Sequence, residues 1–264
     1  MSLRLVTWNV NSVRLRIGNL ARLIETYSPD VLCLQETKVS DELFPWQPLD
    51  ALGYRHRLIH GMKAYNGLAI LSRLPLTRPT IKNWCGRDDR RHAFALLPGG
   101  IEIHNLYIPA GGDIPDPAAN DKFAHKLQFI DEAATWLAAA PKRNGKAILV
   151  GDLNIAPLAT DVWSHSQLLD VVSHTPVEVE RLGRLQASRR WHDAVRHFIP
   201  PSEQLYSWWS YRARDWDSAD RGRRLDHAWV TPALVPSLRA AAVLREARGW
   251  AAPSDHAPVI VDLA

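Results

Sequence analysis

Asp152 and Asn154 leave the end of an apolar run side by side. Residues 147–150, Ala-Ile-Leu-Val, suit a strand buried on both faces, and Gly151 ends the run. Leu153 and Ile155 alternate with the two polar residues and should point into the packing, while Pro157 stops the strand from continuing. A carboxylate and an amide in such a place cost free energy unless something pairs with them. Taken alone, the pair reads more readily as an Asx turn, in which the Asp152 side chain bonds the backbone two residues on.

Four other stretches end in the same way. Asn9 and Asn11 follow one run, Glu36 a second and Tyr107 a third, while Asp226, Asp255 and His256 flank runs near the carboxyl end. Each has a plain structural reading: Glu36 as a helix cap, Tyr107 as a core tyrosine with a satisfied hydroxyl, Asp226 with His227 as an ordinary strand end, Asp255-His256 as a turn. The set says more than its members. Carboxylates crowded on one rim repel unless a cation sits among them. Oxygen ligands without a cysteine cluster favour Mg²⁺ or Mn²⁺ over Zn²⁺. A hard divalent ion beside an Asp and a His is equipment for attack of water on a phosphodiester.

The elements that must carry these groups follow from periodicity. Residues 3–10 alternate as a strand, residues 12–27 place Val13, Ile17, Leu20, Ile24 and Tyr27 at helical spacing, and residues 31–34 are a second buried run. Strand, helix and strand in so short a stretch make a βα unit of the α/β kind. Residues 53–59, 67–71, 90–97 and 101–108 read as strands, the last two joined by a Pro98-Gly99-Gly100 hairpin turn, so the sheet there is mixed or antiparallel. Residues 109–119 are a Gly/Pro-rich loop, and Phe123, Leu127, Ile130, Ala134 and Leu137 mark one face of a long helix. Residues 160–204 are read as short helices, one near 191–198, and strands at 205–209, 225–230, 241–244 and 259–263 complete the chain. The strands fall into two batches either side of the helix at 120–140, which suggests two sheets packed face to face with helices outside. With no linker, charge block or low-complexity boundary, residues 1–264 are expected to form a single domain.

Composition narrows the class. Hydrophobic residues make up 46% of the 264-residue chain, enough for a sizeable core. Cys33 and Cys85 give neither a disulfide framework nor zinc spacing, so a reducing compartment fits. The start of the chain lacks the apolar stretch of a signal peptide, and no later run is long enough to span a bilayer, which leads to the expectation of a cytoplasmic protein. The net charge of +4 is a mild bias toward a polyanionic partner. The clustering of arginine with tryptophan and tyrosine over residues 206–224 says more about that partner than the total does.

Eight blocks then carry a resemblance. WNVNSVRLR, PDVLCLQETK, NGLAILSR, NLYIPAGG, GDLNIAP, YSWWSYR, RGRRLDH and SDHAPV occur in this order between residues 3 and 263. In this the chain resembles the exonuclease III family of abasic-site endonucleases and 3′-exonucleases, within the wider endonuclease/exonuclease/phosphatase superfamily. The resemblance implies a four-layer α/β sandwich, with two mixed β-sheets packed face to face, helices outside and the site at one rim. It implies Mg²⁺, with Mn²⁺ able to substitute, and duplex DNA as partner, in the nucleoid, with the chain acting as a monomer. Glu36 resembles the principal metal carboxylate, with Asn9 and Asp255 near the ion and Asp152, Asn154 and His256 also in the candidate ligand set. Asp152 resembles the group that orients or deprotonates the attacking water, and Asn154 a donor to the phosphate. His256 would bind the scissile phosphate or act as the base, Asp226 would orient its ring, and Tyr107 would donate to the phosphate or leaving group. Trp208 and Leu225 resemble walls of an abasic-sugar pocket.

Two positions depart from the pattern. Asn11, read as substrate-binding, stands where some relatives have aspartate, which weakens any second metal site there. Arg223 stands where relatives carry an apolar or tryptophan pocket wall, and at the mouth it could grip a phosphate or fill the gap left in the duplex. The leading expectation is a Mg²⁺-dependent DNA-repair nuclease that incises 5′ to abasic sites, removes 3′ blocking groups and degrades duplex from 3′ ends. The alternatives are a phosphodiesterase acting on a small or lipid phosphate, and a DNA-binding module without catalysis. The basic and aromatic residues of YSWWSYR and RGRRLDH favour a nucleic-acid substrate.

Overall fold

A computed structural model describes residues 2–140 and 145–264. The chain runs through β1 (Leu3–Asn9), α1 (Ile17–Tyr27), β2 (Val31–Gln35), α2 (Gln47–Ala51), β3 (His56–His60), β4 (Leu68–Ser72), β5 (Thr77–Ile81), β6 (His92–Leu97) and β7 (Ile101–Leu106). It continues through α3 (Asp121–Ala138), β8 (Ala147–Asp152), α4 (His165–Leu168), α5 (Pro176–Ser188), β9 (His192–Asp193), α6 (Ala194–Phe198), β10 (Trp208–Trp209), α7 (Trp216–Ala219), β11 (Gly222–Arg223), β12 (Asp226–Val230), β13 (Leu238–Val243) and β14 (Val259–Leu263). One sheet has the order β13-β14-β1-β2-β4-β3 and the other β5-β6-β7-β8-β12-β9, while β10 and β11 pair separately.

Alternation assigns the layers. Leu5, Val31, Cys33, Ile70, Ile103, Ile148, Val150, Ala228 and Val261 meet between the two sheets. Their neighbours on the opposite faces, Val6, Trp8, Leu32 and Leu34, pack under Leu20, Leu23 and Ile24 of α1. On the other side Ala147, Leu149 and Trp229 pack under Phe129, Ile130 and Leu137 of α3 and Leu182 and Leu185 of α5. Helix, sheet, sheet and helix make the four-layer α/β sandwich. Strands covered on both faces need no polar alternation, which explains the continuous apolar runs.

The two batches of strands do not correspond to the two sheets. β13 and β14 come from the far end of the chain yet join β1–β4, while β7 and β8, on either side of α3, lie side by side in parallel. Hydrophobic pattern marks a strand but carries no label for its neighbour. β5 was not foreseen: all its residues are exposed, it contains Pro79, and it lies at a sheet edge, so burial left no pattern to read. α1 starts at Ile17 rather than residue 12, because Asn11 and Ser12 have positive φ, 44° and 92°, and the chain turns before the helix. The helix expected near 191–198 is a short strand followed by α6, whose amides on Val195 and Arg196 are capped by the Asp193 side chain.

A polar knot fastens the sheets together below one rim. Gln35 Nε2 donates to Asn105 Oδ1 at 2.7 Å and to Thr7 Oγ1 at 2.9 Å, and Asn105 Nδ2 donates to the Leu34 and Ala69 carbonyls, both at 3.0 Å. A buried network of this kind fixes sheet-to-sheet register, which apolar contacts alone leave loose.

His227 of β12 is fully buried, its Nε2 2.8 Å from the Ile155 carbonyl. Burial, together with Arg224, pushes its pKa down to about 4 against Asp193 and Asp161. The unfolded chain takes up this proton near the ordinary value of 6.5 and the folded chain only near 4, so acid favours unfolding across that interval. His227 alone should therefore remove about 3 kcal/mol of stability between pH 7 and pH 4. Urea unfolding midpoints across this range check it: His227→Gln should flatten the decline, and an unchanged slope would assign it to other groups.

Candidate active site

Strand direction collects the polar groups. β1 and β2 run parallel, so Asn9 at the end of one and Glu36 just past the other emerge at the same rim. β14 is antiparallel to β1, so Asp255 and His256, just before it, arrive there too. β7 and β8 are parallel and bring Tyr107 and Asp152, and β12, antiparallel to β8, sets Asp226 opposite Asp152. Gly151 permits the close pass: with φ 142°, it lies where an added Cβ would sit 1.8 Å from the Leu106 carbonyl oxygen. Asn11, Glu36, Lys38 and Asn154 are left-handed, at φ 44°, 51°, 53° and 53°. Glutamate and lysine seldom adopt that conformation, and such strain concentrates at functional sites.

Hydrogen bonds join the groups into two connected sets. Glu36 Oε1 accepts from Asn9 Nδ2 at 2.9 Å and from Tyr107 OH at 2.8 Å, and Asn9 Nδ2 also donates to Asp152 Oδ2 at 2.9 Å. Asp255 accepts from Asn11 Nδ2 and from Trp208 Nε1, each at 3.0 Å. His256 Nδ1 is 2.8 Å from Asp226 Oδ2, and its Nε2 is 3.7 Å from Asp152 Oδ2. Asp152 Oδ1 accepts from the Asn154 amide at 2.9 Å, so the Asx turn forms along with the other contacts. The Asn154 side chain itself donates to the Ile108 carbonyl at 3.0 Å.

Several supporting residues were not foreseen. Lys38 places its ammonium 2.8 Å from Glu36 Oε2 and within hydrogen-bond reach of Asn11 Oδ1. Ser207 Oγ donates to Asp226 Oδ2 at 2.7 Å and accepts from the Leu225 and Asp226 amides. Ser254 Oγ donates to the Asn9 carbonyl at 2.7 Å, tying the His256 loop to β1. The buried pair Lys126–Glu178 underlies the loop after β8, where Lys126 Nζ also donates to the Asn154 carbonyl at 2.8 Å. Lys38 lay within a recognised block, but a lysine after Glu-Thr reads as solvated. The serines carry no signal apart from their neighbours.

The electrostatics separate two buried neighbours. Burial, reinforced by Asp226 and Glu36, raises the Asp152 carboxyl to about 7. Burial works against a charge on His256 too, but Asp226 and Asp152 outweigh it and push the imidazole up to about 10. Of the two, His256 holds its proton more tightly, and Asp152 is the group from which the charge–charge balance releases a proton first. Burial opposes the charge on Glu36, yet Lys38 and Asn9 hold it below its ordinary value. Burial and the Glu36 charge raise Tyr107 well above its usual value, so its hydroxyl keeps its proton.

The donor set suits a hard cation. Asp152, Asp226 and His256 bring ligand atoms within 4.8 Å of one another. Asp226 Oδ2 accepts from both Ser207 and His256, while its other oxygen, Oδ1, is buried without a partner. The oxygens of Glu36 and Asn11 already face one cation, the Lys38 ammonium, and offer a second group of oxygen donors at the same rim.

Glu36, Tyr107, Asp152, Asn154, Asp255 and His256 open onto a cavity of about 250 Å³ whose far wall includes Trp208, Leu225 and Arg223. Asn9 and Asp226 are buried and do not line it, and Asn11, half-buried, lies outside its lining. Arg223 is folded back rather than extended: its Nη1 donates to the Val172 carbonyl at 3.0 Å and to Ser173 Oγ at 2.8 Å, with its guanidinium 5.5 Å from the Trp208 ring.

Comparisons with known proteins agree with this geometry. Residues 6–256 match the endonuclease/exonuclease/phosphatase family. The chain is 28% identical to exodeoxyribonuclease III of Haemophilus influenzae, over 97% of this chain and 98% of that one. An AP endonuclease from Archaeoglobus fulgidus superposes with a TM-score of 0.90 at 28% identity, covering 98% of each chain. A 3′ phosphatase from Neisseria, solved with a product DNA hairpin, superposes with a TM-score of 0.91 at 30% identity, covering 99% of each. No helix among the described residues is long and apolar enough to cross a membrane.

Proposed function

Because the chain belongs to the endonuclease/exonuclease/phosphatase family, we propose that it is a Mg²⁺-dependent DNA-repair nuclease. It would incise 5′ to abasic sites, remove 3′ blocking groups and degrade duplex from 3′ ends. The observation that carries the reading is the buried Asp226–His256–Asp152 row joined through Asn9 to Glu36 and Tyr107 at the edge of one cavity. Relatives named exodeoxyribonuclease III and AP endonuclease support it over a phosphodiesterase for small or lipid phosphates.

The residues divide the reaction among themselves. Asp152 accepts the proton of a water as its oxygen bonds to phosphorus; general-base help of this kind is worth roughly 10²–10⁴-fold. His256, kept protonated and oriented by Asp226, donates from Nε2 to a phosphate oxygen as charge builds there. Asn154, whose Nδ2 also donates to the Ile108 carbonyl, would offer its second N–H to the same group. Tyr107 donates to the phosphate or to the leaving 3′-oxygen as the P–O3′ bond breaks. Glu36, with Asn9 and Asp255, would hold the cation, with Lys38 giving up its place or sharing it. A bound Mg²⁺ supplies charge neutralisation at the phosphate and the leaving oxygen.

The test is a synthetic duplex with one abasic site, assayed with and without Mg²⁺ beside a 3′-phosphate duplex and inositol phosphates. DNA should be cut only with the metal, and chelation should abolish cutting. Turnover of inositol phosphates with both DNAs left intact would replace this reading.

A further inference from the structure

Beside the catalytic cavity lies a larger one, of about 610 Å³, which the catalytic residues do not line. The two share Gly112, Val172, Trp208 and Arg223, so they adjoin across the Arg223–Trp208 wall. Its size falls in the range of sites for small organic groups, roughly 300–1,000 Å³. Its lining is unusual in kind: Trp163, Trp208 and Trp216 with Arg212, Arg221 and Arg223, faced by one carboxylate, Asp113. Arg221 lies 4.8 Å from the Trp163 ring centre and is itself exposed. Among the described residues, none of these three arginines forms an ion pair with a carboxylate, and the buried Nε of Arg223 has no partner. Indole faces with uncompensated guanidinium groups fit a flat π-system attached to an anion, which is a nucleotide.

We infer that this chamber receives the base of an unpaired nucleotide next to the scissile phosphate. The inference rests on the nuclease reading and narrows it. Arg223, drawn back onto Val172 and Ser173, partitions the catalytic cavity, so a base-bearing nucleotide has its place beyond the wall while the phosphate stays with Asp152 and His256. Within the 3′-end reaction of the nuclease reading, the chamber supplies affinity for an end whose terminal base is unpaired. Stacking is tolerant of base identity, so the preference is for an unpaired base and not for a sequence.

Two duplexes test it, one ending in a single unpaired 3′ nucleotide and one with an abasic analogue in its place. Binding is measured in chelator, where no cutting occurs, and cleavage with Mg²⁺. Trp163→Ala and Arg221→Ala should each weaken binding of the base-bearing end by roughly 5- to 150-fold, the range for loss of a stacking contact. Binding of the base-less end should stay within about twofold, because no stacking contact exists there to lose. 2-Aminopurine at the unpaired position should be quenched by the wild type and not by Trp163→Ala, and Trp163→Phe should restore part of the quenching. Equal loss on both ends, or no quenching by the wild type, overturns the chamber while leaving the nuclease reading intact. A wild type that neither binds nor cuts any DNA overturns both.

Discussion

Asp152→Asn should give a folded protein that binds abasic duplex and cuts it roughly 10²–10⁴-fold more slowly than the wild type. The carboxylate has two tasks. Oδ1 holds the Asn154 amide and Oδ2 holds the Asn9 amide, each at 2.9 Å. An asparagine can satisfy one of these donors, and its own NH₂ then faces the other. That mismatch costs about 1–3 kcal/mol. The loss is offset in part because a neutral amide avoids the burial that lifts the carboxyl to about 7. β8 is held by pairing with β7 and β12 and by the core, so the strand should stay in place. What the amide cannot do is take a proton from water. One negative charge fewer beside the phosphate leaves DNA affinity equal or higher. Gel-shift titration paired with single-turnover incision reads the two effects separately. Near-normal cleavage would move the base role to His256, and collapse of folding would leave the Asx turn as the main task of Asp152.

Glu36→Gln should raise the Mg²⁺ concentration needed for half-maximal cutting by more than the roughly 10–100-fold that follows loss of a partner behind a metal ligand. Glutamine keeps the shape and can still accept from Tyr107 and Asn9 at the Oε1 position. It loses the charge that a hard cation needs and that Lys38 now balances. Saturating Mg²⁺ should recover part of the rate, which separates a weakened ligand from a misfolded site. Titration of Mg²⁺ against single-turnover rates is the measurement, and an unchanged half-saturation would exclude Glu36 as a ligand.

The legible part of this site was the part written as polar residues at the ends of apolar runs. Asn9, Glu36, Tyr107, Asp152, Asp226 and His256 meet because buried strands end at one rim, and a buried strand leaves a pattern. Gln35 and Asn105 left none, since a polar residue within a strand reads as surface until an opposing sheet is known. Ser207 and Ser254 act through partners distant in sequence, which local spacing cannot express, while Lys38 pairs with Glu36 two residues before it and reads as solvated until the rim around it is known. Arg223 was noticed for its type, but its inward posture depends on the Val172 carbonyl and Ser173, in a stretch with weak periodicity. At Asp152 the Asx turn is formed by Oδ1, while Oδ2 faces Asn9 and His256, so the turn and the reading as a proton acceptor do not compete for one oxygen. The layer architecture followed from composition of the strands; their allocation to sheets did not, because long-range pairing is not encoded locally.

The place of β14 between β13 and β1 has a consequence for biosynthesis. Asn11 and Asp255 are hydrogen-bonded although 244 residues separate them, and the imidazole comes from the same late segment. A chain still on the ribosome can assemble Glu36, Asp152 and their supports, but β1 keeps an open edge and the Asp226 carboxylate lacks its imidazole until the last strand slides in. Contacts so distant in sequence form late and slowly. A chain that ends at β13 therefore lacks both Asp255 and the His256 imidazole at the rim.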